Sequence, residues 1–343
     1  MAFVQPMRPM PRALKHCAVA MARLGLAGLW GWQGVHVSGA NRLAGVFDSE
    51  PMHDAFFSGT AGPHRKLVVQ FMDGAGRVKG YAKVACVPAV HALLVREASI
   101  MQELRRTGLQ SAIIPRVLLN EIRDGAAVLV MDTIDAPRKG SPSHLRTAHL
   151  RFLDELAVRT EAVWARSGDV LLRGWDAQAR ALDGCLSSEW RVRLGRALWM
   201  LAARPELLAS RGLAHGDFTP VNTFMYRDKL FVFDWEYAGG DYPADFDLIR
   251  YLDVQTRLAV ARPLRHAETI MRTLVGELGR GEADAYSRLV AYQCVQALRG
   301  ASRQPPSVDG TPLQWESERN DAAMLDVLLT HPRFARLVGM AQG

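Results

Sequence analysis

The sequence reads as an α+β chain of two lobes, a small strand-rich lobe followed by a larger helical one with a cleft between them. Three observations carry this. Residues 53–85 hold three runs rich in Val, Phe and Tyr, separated by breaks of Gly, Pro and Asp. Beyond residue 145 most apolar residues recur at helical spacing. Between these textures lies PRKGSPSH (137–144), a loop of Pro, Gly and Ser. The division is therefore an extension (1–50), a small lobe (51–136) and a helical lobe (137–343).

The extension contains ALKHCAVAMARLGLAGLWGW (13–32), in which Leu14, Ala18, Met21 and Leu24 fall at helical spacing. Lys15, His16 and Arg23 interrupt it. Its longest clean run, LGLAGLWGW, falls short of the ~20 apolar residues that a membrane span needs. The expectation is an amphipathic helix packed on the small lobe, without stable membrane insertion. HDAFFSG, KLVVQFMD and VKGYAKVA then predict an antiparallel meander. Residues 88–107 predict a helix, with Val90, Leu94, Ala98, Met101 and Leu104 near one face. Pro88 suits its first turn and Gly108 its stop. RVLLNEI and AAVLVMDTI predict two more strands joined around Asp124–Gly125. In the second lobe, helices are predicted over 145–166, 176–203, 257–279, 283–299 and 316–331. The stretch 214–237 interrupts them with the strand-like TFMYR and KLFVFDW.

Composition narrows the classes. Of 343 residues, 49% are hydrophobic and 22% charged, which permits a large core and argues against general disorder. The net charge of +7 is spread along the chain and no nucleic-acid motif accompanies it, so nucleic acid is not an expected partner. The four cysteines lie far apart with no CxxC pair, which argues against a disulfide scaffold and a cysteine-only zinc site. With no export signal recognised, a cytoplasmic location is expected. Nothing in the sequence sets the oligomeric state.

The chemistry concentrates in residues 214–247, AHGDFTPVNTFMYRDKLFVFDWEYAGGDYPADFD. Seven acids face two bases there, within a basic chain. A hard cation such as Mg²⁺, which takes oxygen ligands, would account for such an island. Asp217 and Asn222 stand five apart, and Asp234 follows the apolar strand KLFVF. This matches the parts of a phosphoryl-transfer site: one Asp for the attacking hydroxyl, an Asn for a metal, a second Asp bridging metal to phosphates.

His215-Gly216-Asp217 with Asn222, followed by Asp234-Trp235-Glu236, resembles the H-G-D-x-x-x-x-N and D-x-E signatures of the aminoglycoside phosphotransferase/choline kinase-like superfamily. The resemblance covers about residues 50–250 and implies a protein-kinase-like fold. It implies that Asp217 is the catalytic base and that Asn222 and Asp234 hold Mg²⁺. His215 would hold the loop and Asp247 would anchor it. Lys83 matches the lysine on the nucleotide phosphates, with Glu97 as its ion-pair partner and Glu103 as the alternative. Glu236 would support the metal ligands or lie on the surface, and Asp245 would be solvated. The turn Ser58-Gly59-Thr60-Ala61-Gly62 sits where the phosphate-covering loop belongs, though it is not a G-x-G-x-x-G. Adenine would lie against the backbone of Asp132–Ile134.

The implied activity is ATP- and Mg²⁺-dependent phosphorylation of a hydroxyl on a small molecule. A nucleotide-binding protein without transfer is the alternative. Acceptors in the superfamily include aminoglycosides, amino alcohols and sugars. A further likeness to bacterial phosphotransferase-like sequences of glycan clusters favours a sugar or glycan hydroxyl. A cationic acceptor would want acids near Asp217, for which Glu236, Asp241, Glu316 and Glu318 are the candidates.

Overall fold

The computed structural model describes residues 44–47, 53–57, 64–134, 144–256, 261–304, 311–334 and 336–337. The helix expected at 13–32 and the turn holding Ser58, Gly59 and Thr60 lie outside the described residues. The small lobe is a five-stranded antiparallel sheet in the order β1-β2-β3-β6-β5. Its strands are β1 (His53–Phe57), β2 (Leu67–Met72), β3 (Val78–Ala85), β5 (Val117–Arg123) and β6 (Ala126–Asp132). Asp124 and Gly125 both take positive φ, 50° and 78°, and turn β5 into β6. Helix α1 (Pro88–Thr107) packs on one face, with Pro88 in its first turn and Gly108 ending it in the left-handed region.

Strand parity sorts the sheet into two faces. Val128 and Val130 of β6 join Val69, Phe71 and Ala82 on the outer face. Ala127, Leu129 and Met131 face the other way, into a core shared with α1. Lys83 stands opposite Leu129 in the β3–β6 register, so it too points toward α1. That single parity choice delivers the lysine to the cleft.

The helical lobe comprises α2 (Thr147–Trp164), α3 (Gly168–Leu182), α4 (Ser188–Leu201), α5 (Phe246–Thr256), α6 (Pro263–Arg272), α7 (Glu282–Ser302) and α8 (Glu318–Thr330). A second sheet has the order β4-β8-β7, where β4 is Ala112–Ile113, β7 is Thr223–Tyr226 and β8 is Lys229–Val232. The short β4 runs parallel to β8 and was not foreseen.

Two expectations need correction. The helix expected at 176–203 is two helices, α3 and α4, parted by a turn at Asp183–Cys185. The break is tertiary: the Cys185 carbonyl accepts from the Leu313 amide at 2.8 Å. The helix expected to begin at 257 is preceded by α5, which starts at Phe246 and carries part of the acidic stretch. One buried cluster fills α3 through α8, while the core around α1 continues through Phe152, Phe218, Trp235 and Tyr251 of the helical lobe. None of the helices described is long and apolar enough to cross a membrane.

Candidate active site

Backbone pairing frames the site first. Ala214 and Gly239 exchange two hydrogen bonds, 2.8 and 2.9 Å, and tie both ends of the loop that carries the acidic residues. Within it, β7 and β8 form a hairpin with Asn222 just before it and Asp234 just after it. The hairpin therefore returns Asp234 toward the loop that holds Asp217.

Asp247, at the start of α5, anchors this loop as expected. Its carboxylate accepts the His215 amide at 2.6 Å and the Gly216 amide at 2.9 Å. Burial pushes its pKa up, against the pull of His215 and of those two amides. His215 is fully buried. Its Nδ1 receives the Asp217 amide at 3.2 Å and its Nε2 lies 3.0 Å from the Phe233 carbonyl. A donor aimed at Nδ1 leaves the ring proton on Nε2, which donates to Phe233. The ring thus staples the 214–217 loop to the strand end that delivers Asp234. Gly216 has φ +78°, and a Cβ there would meet the Tyr237 carbonyl at 2.3 Å, so only glycine fits.

Asn222 donates its amide to the Asp217 carbonyl at 2.9 Å and to Oδ2 of Asp217 at 3.0 Å. Both N–H bonds are thereby spent within the loop, which leaves the side-chain oxygen as the atom able to ligate. The other Asp217 oxygen receives Arg250 of α5, at 2.9 Å from Nη2 and 3.1 Å from Nε. Arg250 also lies 3.7 Å from Asp253. Sequence reasoning missed Arg250. Its one signal was position, three residues past Asp247 on the same helix.

The second half of the site is an ion cluster. Lys83 Nζ lies 2.6 and 2.7 Å from the two oxygens of Glu97 and 2.5 Å from Oδ1 of Asp234. Glu97 is the partner, and it also accepts the Trp235 amide at 3.2 Å. The alternative, Glu103, accepts the Trp164 indole instead. Burial works against the charge on Lys83, but Asp234 and Glu97 outweigh it and raise its pKa. Burial likewise opposes the charge on Asp234, and Lys83 with Lys66 brings its pKa down to about 2. Asp234 holds a left-handed backbone, φ 69°, which is uncommon outside glycine and marks a constrained position.

Glu236 is buried rather than on the surface, and it pairs with Lys66. Burial and the charge of Lys83 lower the pKa of Lys66 to about 8. Glu97, Asp234 and Glu236 each bring a carboxylate oxygen within 4.8 Å of the others. This all-oxygen donor set suits Mg²⁺. Asp245 is not solvated: Arg280 and Arg288 each reach it at 3.1 Å. At the expected adenine position, the Asp132 amide is already committed to the Arg116 carbonyl at 3.0 Å. Its carboxylate accepts the Arg116 amide in return.

No family model matches the sequence, and no curated protein does. Solved structures are similar in outline. One is a choline/ethanolamine kinase family protein from Mesorhizobium loti, 17% identical, TM-score 0.49, covering 88% of this chain and 96% of that one. Another is the spectinomycin phosphotransferase APH(9)-Ia, in complex with ADP and spectinomycin, 13% identical, TM-score 0.46, covering 90% and 98%.

Proposed function

We propose that this chain is an ATP- and Mg²⁺-dependent phosphotransferase that moves the γ-phosphoryl group to a hydroxyl of a small molecule. The observation that carries the reading is the ion cluster of Lys83, Glu97 and Asp234, set across a loop from Asp217 and Asn222. Lys83 would meet the nucleotide phosphates, held in place by Glu97. Asp234 and the Asn222 oxygen would hold Mg²⁺, which when bound neutralises charge on the phosphates. Adenine would lie at the β6 end, against Thr133 and Ile134, because the Asp132 amide is engaged. The turn at Ser58–Thr60 would cover the phosphates.

Asp217 would orient the acceptor hydroxyl and take its proton as the oxygen attacks the γ-phosphorus. The bond from that phosphorus to the β–γ bridging oxygen breaks and ADP leaves. Positioning and electrostatics supply most of such catalysis, so each group acts through geometry.

A second reading, nucleotide binding without transfer, draws on one contact: Arg250 occupies an oxygen of Asp217. The deciding experiment is a thermal-shift titration with Mg²⁺–ATP on wild type and Asp234→Asn, followed by an acceptor screen. A ligand of the folded state alone adds about 2.7 kcal/mol at a hundredfold excess over Kd. A Mg²⁺-dependent shift that Asp234→Asn abolishes supports the nucleotide site, and turnover in the screen then separates the two readings. Absence of a shift with any nucleotide would overturn both.

A further inference from the structure

We propose that the acceptor carries an anionic group, a phosphate or carboxylate, and that Arg303 at the end of α7 binds it with Arg299 alongside. The inference rests on the phosphotransferase reading and names the substrate class it lacks.

Tyr292, Gln296, Arg299 and Arg303 follow one another at spacings of four, three and four, so they share a face at the end of α7. Three of them are occupied with the framework. Tyr292 donates its hydroxyl to Asp253 at 2.7 Å, and Gln296 donates to that hydroxyl at 2.9 Å. Arg299 donates to the Gly216 carbonyl at 2.7 Å and lies over the rings of Tyr237, Tyr242 and Phe246. Arg303 differs. Its guanidinium lies 3.7 Å from the centroid of the Tyr237 ring, and among the described residues no carboxylate pairs with it.

Tyr237 follows Asp234 by three residues, and Asp217 is among the charges that act on the guanidinium. Stacking uses the face of the fork and leaves its N–H edge in plane for a bidentate anion. The charge that acts most strongly on Arg303 is another cation, Arg299. Burial and the neighbouring Arg299 lower its pKa, against the pull of Tyr237, Tyr242 and Asp217. Its charge also bears on His64 and Lys66 of the small lobe. A part-buried cation among cations is unfavourable until an anion joins it.

Room is present. A cavity of about 500 Å³ shares Tyr237 and Arg299 with this cluster and is lined also by Arg96, Trp175 and Glu236, while Arg303 meets it through the Tyr237 ring rather than in its lining. That volume suits a small molecule of sugar size. Of the acids expected to attract a cationic acceptor, Glu236 is spent on Lys66 and Glu318 on the Trp190 indole, while Asp241 and Glu316 are exposed. Exposed Asp241 is the other acid at the cavity.

The anion bound by Arg303 has two sources, the acceptor or the nucleotide's own γ-phosphate, and the experiment separates them. Kd values are measured for Mg²⁺–AMP-PNP with wild type, Arg303→Ala and Arg303→Lys. On ADP-saturated protein, Kd values are then measured for glycerol 3-phosphate, glucose 6-phosphate and glycerate against glycerol and glucose. We expect the anionic members to bind at least tenfold tighter than the neutral ones. Arg303→Ala removes that preference, Arg303→Lys keeps part of it, and the AMP-PNP affinity stays within twofold. Equal binding of charged and neutral probes overturns the proposal. So does a tenfold loss of AMP-PNP affinity in Arg303→Ala with the probe preference intact, which assigns the arginine to the nucleotide. Failure of wild type to bind AMP-PNP removes the phosphotransferase reading itself, and the proposal with it.

Discussion

Asp217 is held on both oxygens, by Asn222 and by Arg250, so its carboxylate is aimed before any substrate arrives. General-base assistance is worth about 10²–10⁴ in rate. Asp217→Ala should therefore lower kcat by about 10³-fold and leave AMP-PNP affinity unchanged, a pairing read by steady-state kinetics and calorimetry. Retained turnover would remove Asp217 as the base. Lys83 and Glu97 answer to a different measurement. Breaking a buried ion pair from one side costs about 3–5 kcal/mol, whereas replacing both partners with apolar residues is often neutral. Urea unfolding of Glu97→Ala should show a loss of about 3 kcal/mol. The double variant Lys83→Met/Glu97→Leu should recover much of that loss and still bind no nucleotide. These residues were legible through the resemblance: Asp217 in the HGD…N motif, Lys83 at the end of the third strand and Glu97 in the helix that follows. Arg250 and Arg303 were not: an arginine on a helix reads as solvated until its neighbours are known.

Elements were legible where local chemistry decides them. Pro88 and Gly108 bracket α1, and Asp124–Gly125 turns β5 into β6, because those residue types prefer those conformations. The α3–α4 break was hidden, since a carbonyl it frees finds its partner far along the chain, the Leu313 amide on Cys185, while Arg191 of α4 caps the Asp183 carbonyl. The same holds for β4, two residues whose pairing with β8 exists only in three dimensions. Helix α8 carries a pH-dependent prediction. Asp321 is buried, and burial pushes its pKa up to about 7 although Trp315 and Ser317 both donate to it at 2.8 Å. Its ordinary value is 3.8, so between about pH 4 and 7 the folded chain holds a proton that the unfolded chain has released. This contribution to stability is fully present below about pH 4 and is lost as pH rises through 7. Asp321→Asn should flatten that part of the pH dependence of Tm. An unchanged slope would show that Asp321 ionises normally.

At the scale of the molecule, the change of texture near residue 137 made two lobes readable, since strand and helix periodicities differ. What joins the lobes was not readable. The core around α1 does not stop at the small lobe: Leu94, Met101 and Leu129 share it with Phe152, Phe218 and Trp235. A common core predicts a common transition. Thermal unfolding followed by tryptophan fluorescence and by far-ultraviolet circular dichroism should give coincident midpoints. Separate midpoints would mean that the lobes melt independently. Among the described residues, the other face of the small sheet buries Val69, Phe71, Ala82, Val128 and Val130 around the Ala44–Phe47 turn. Amides of α1 and β6 should exchange with solvent as slowly as those of α7, while β1 and β2 open first. In such a frame the outer strands, and not the joint between the lobes, are the part that yields.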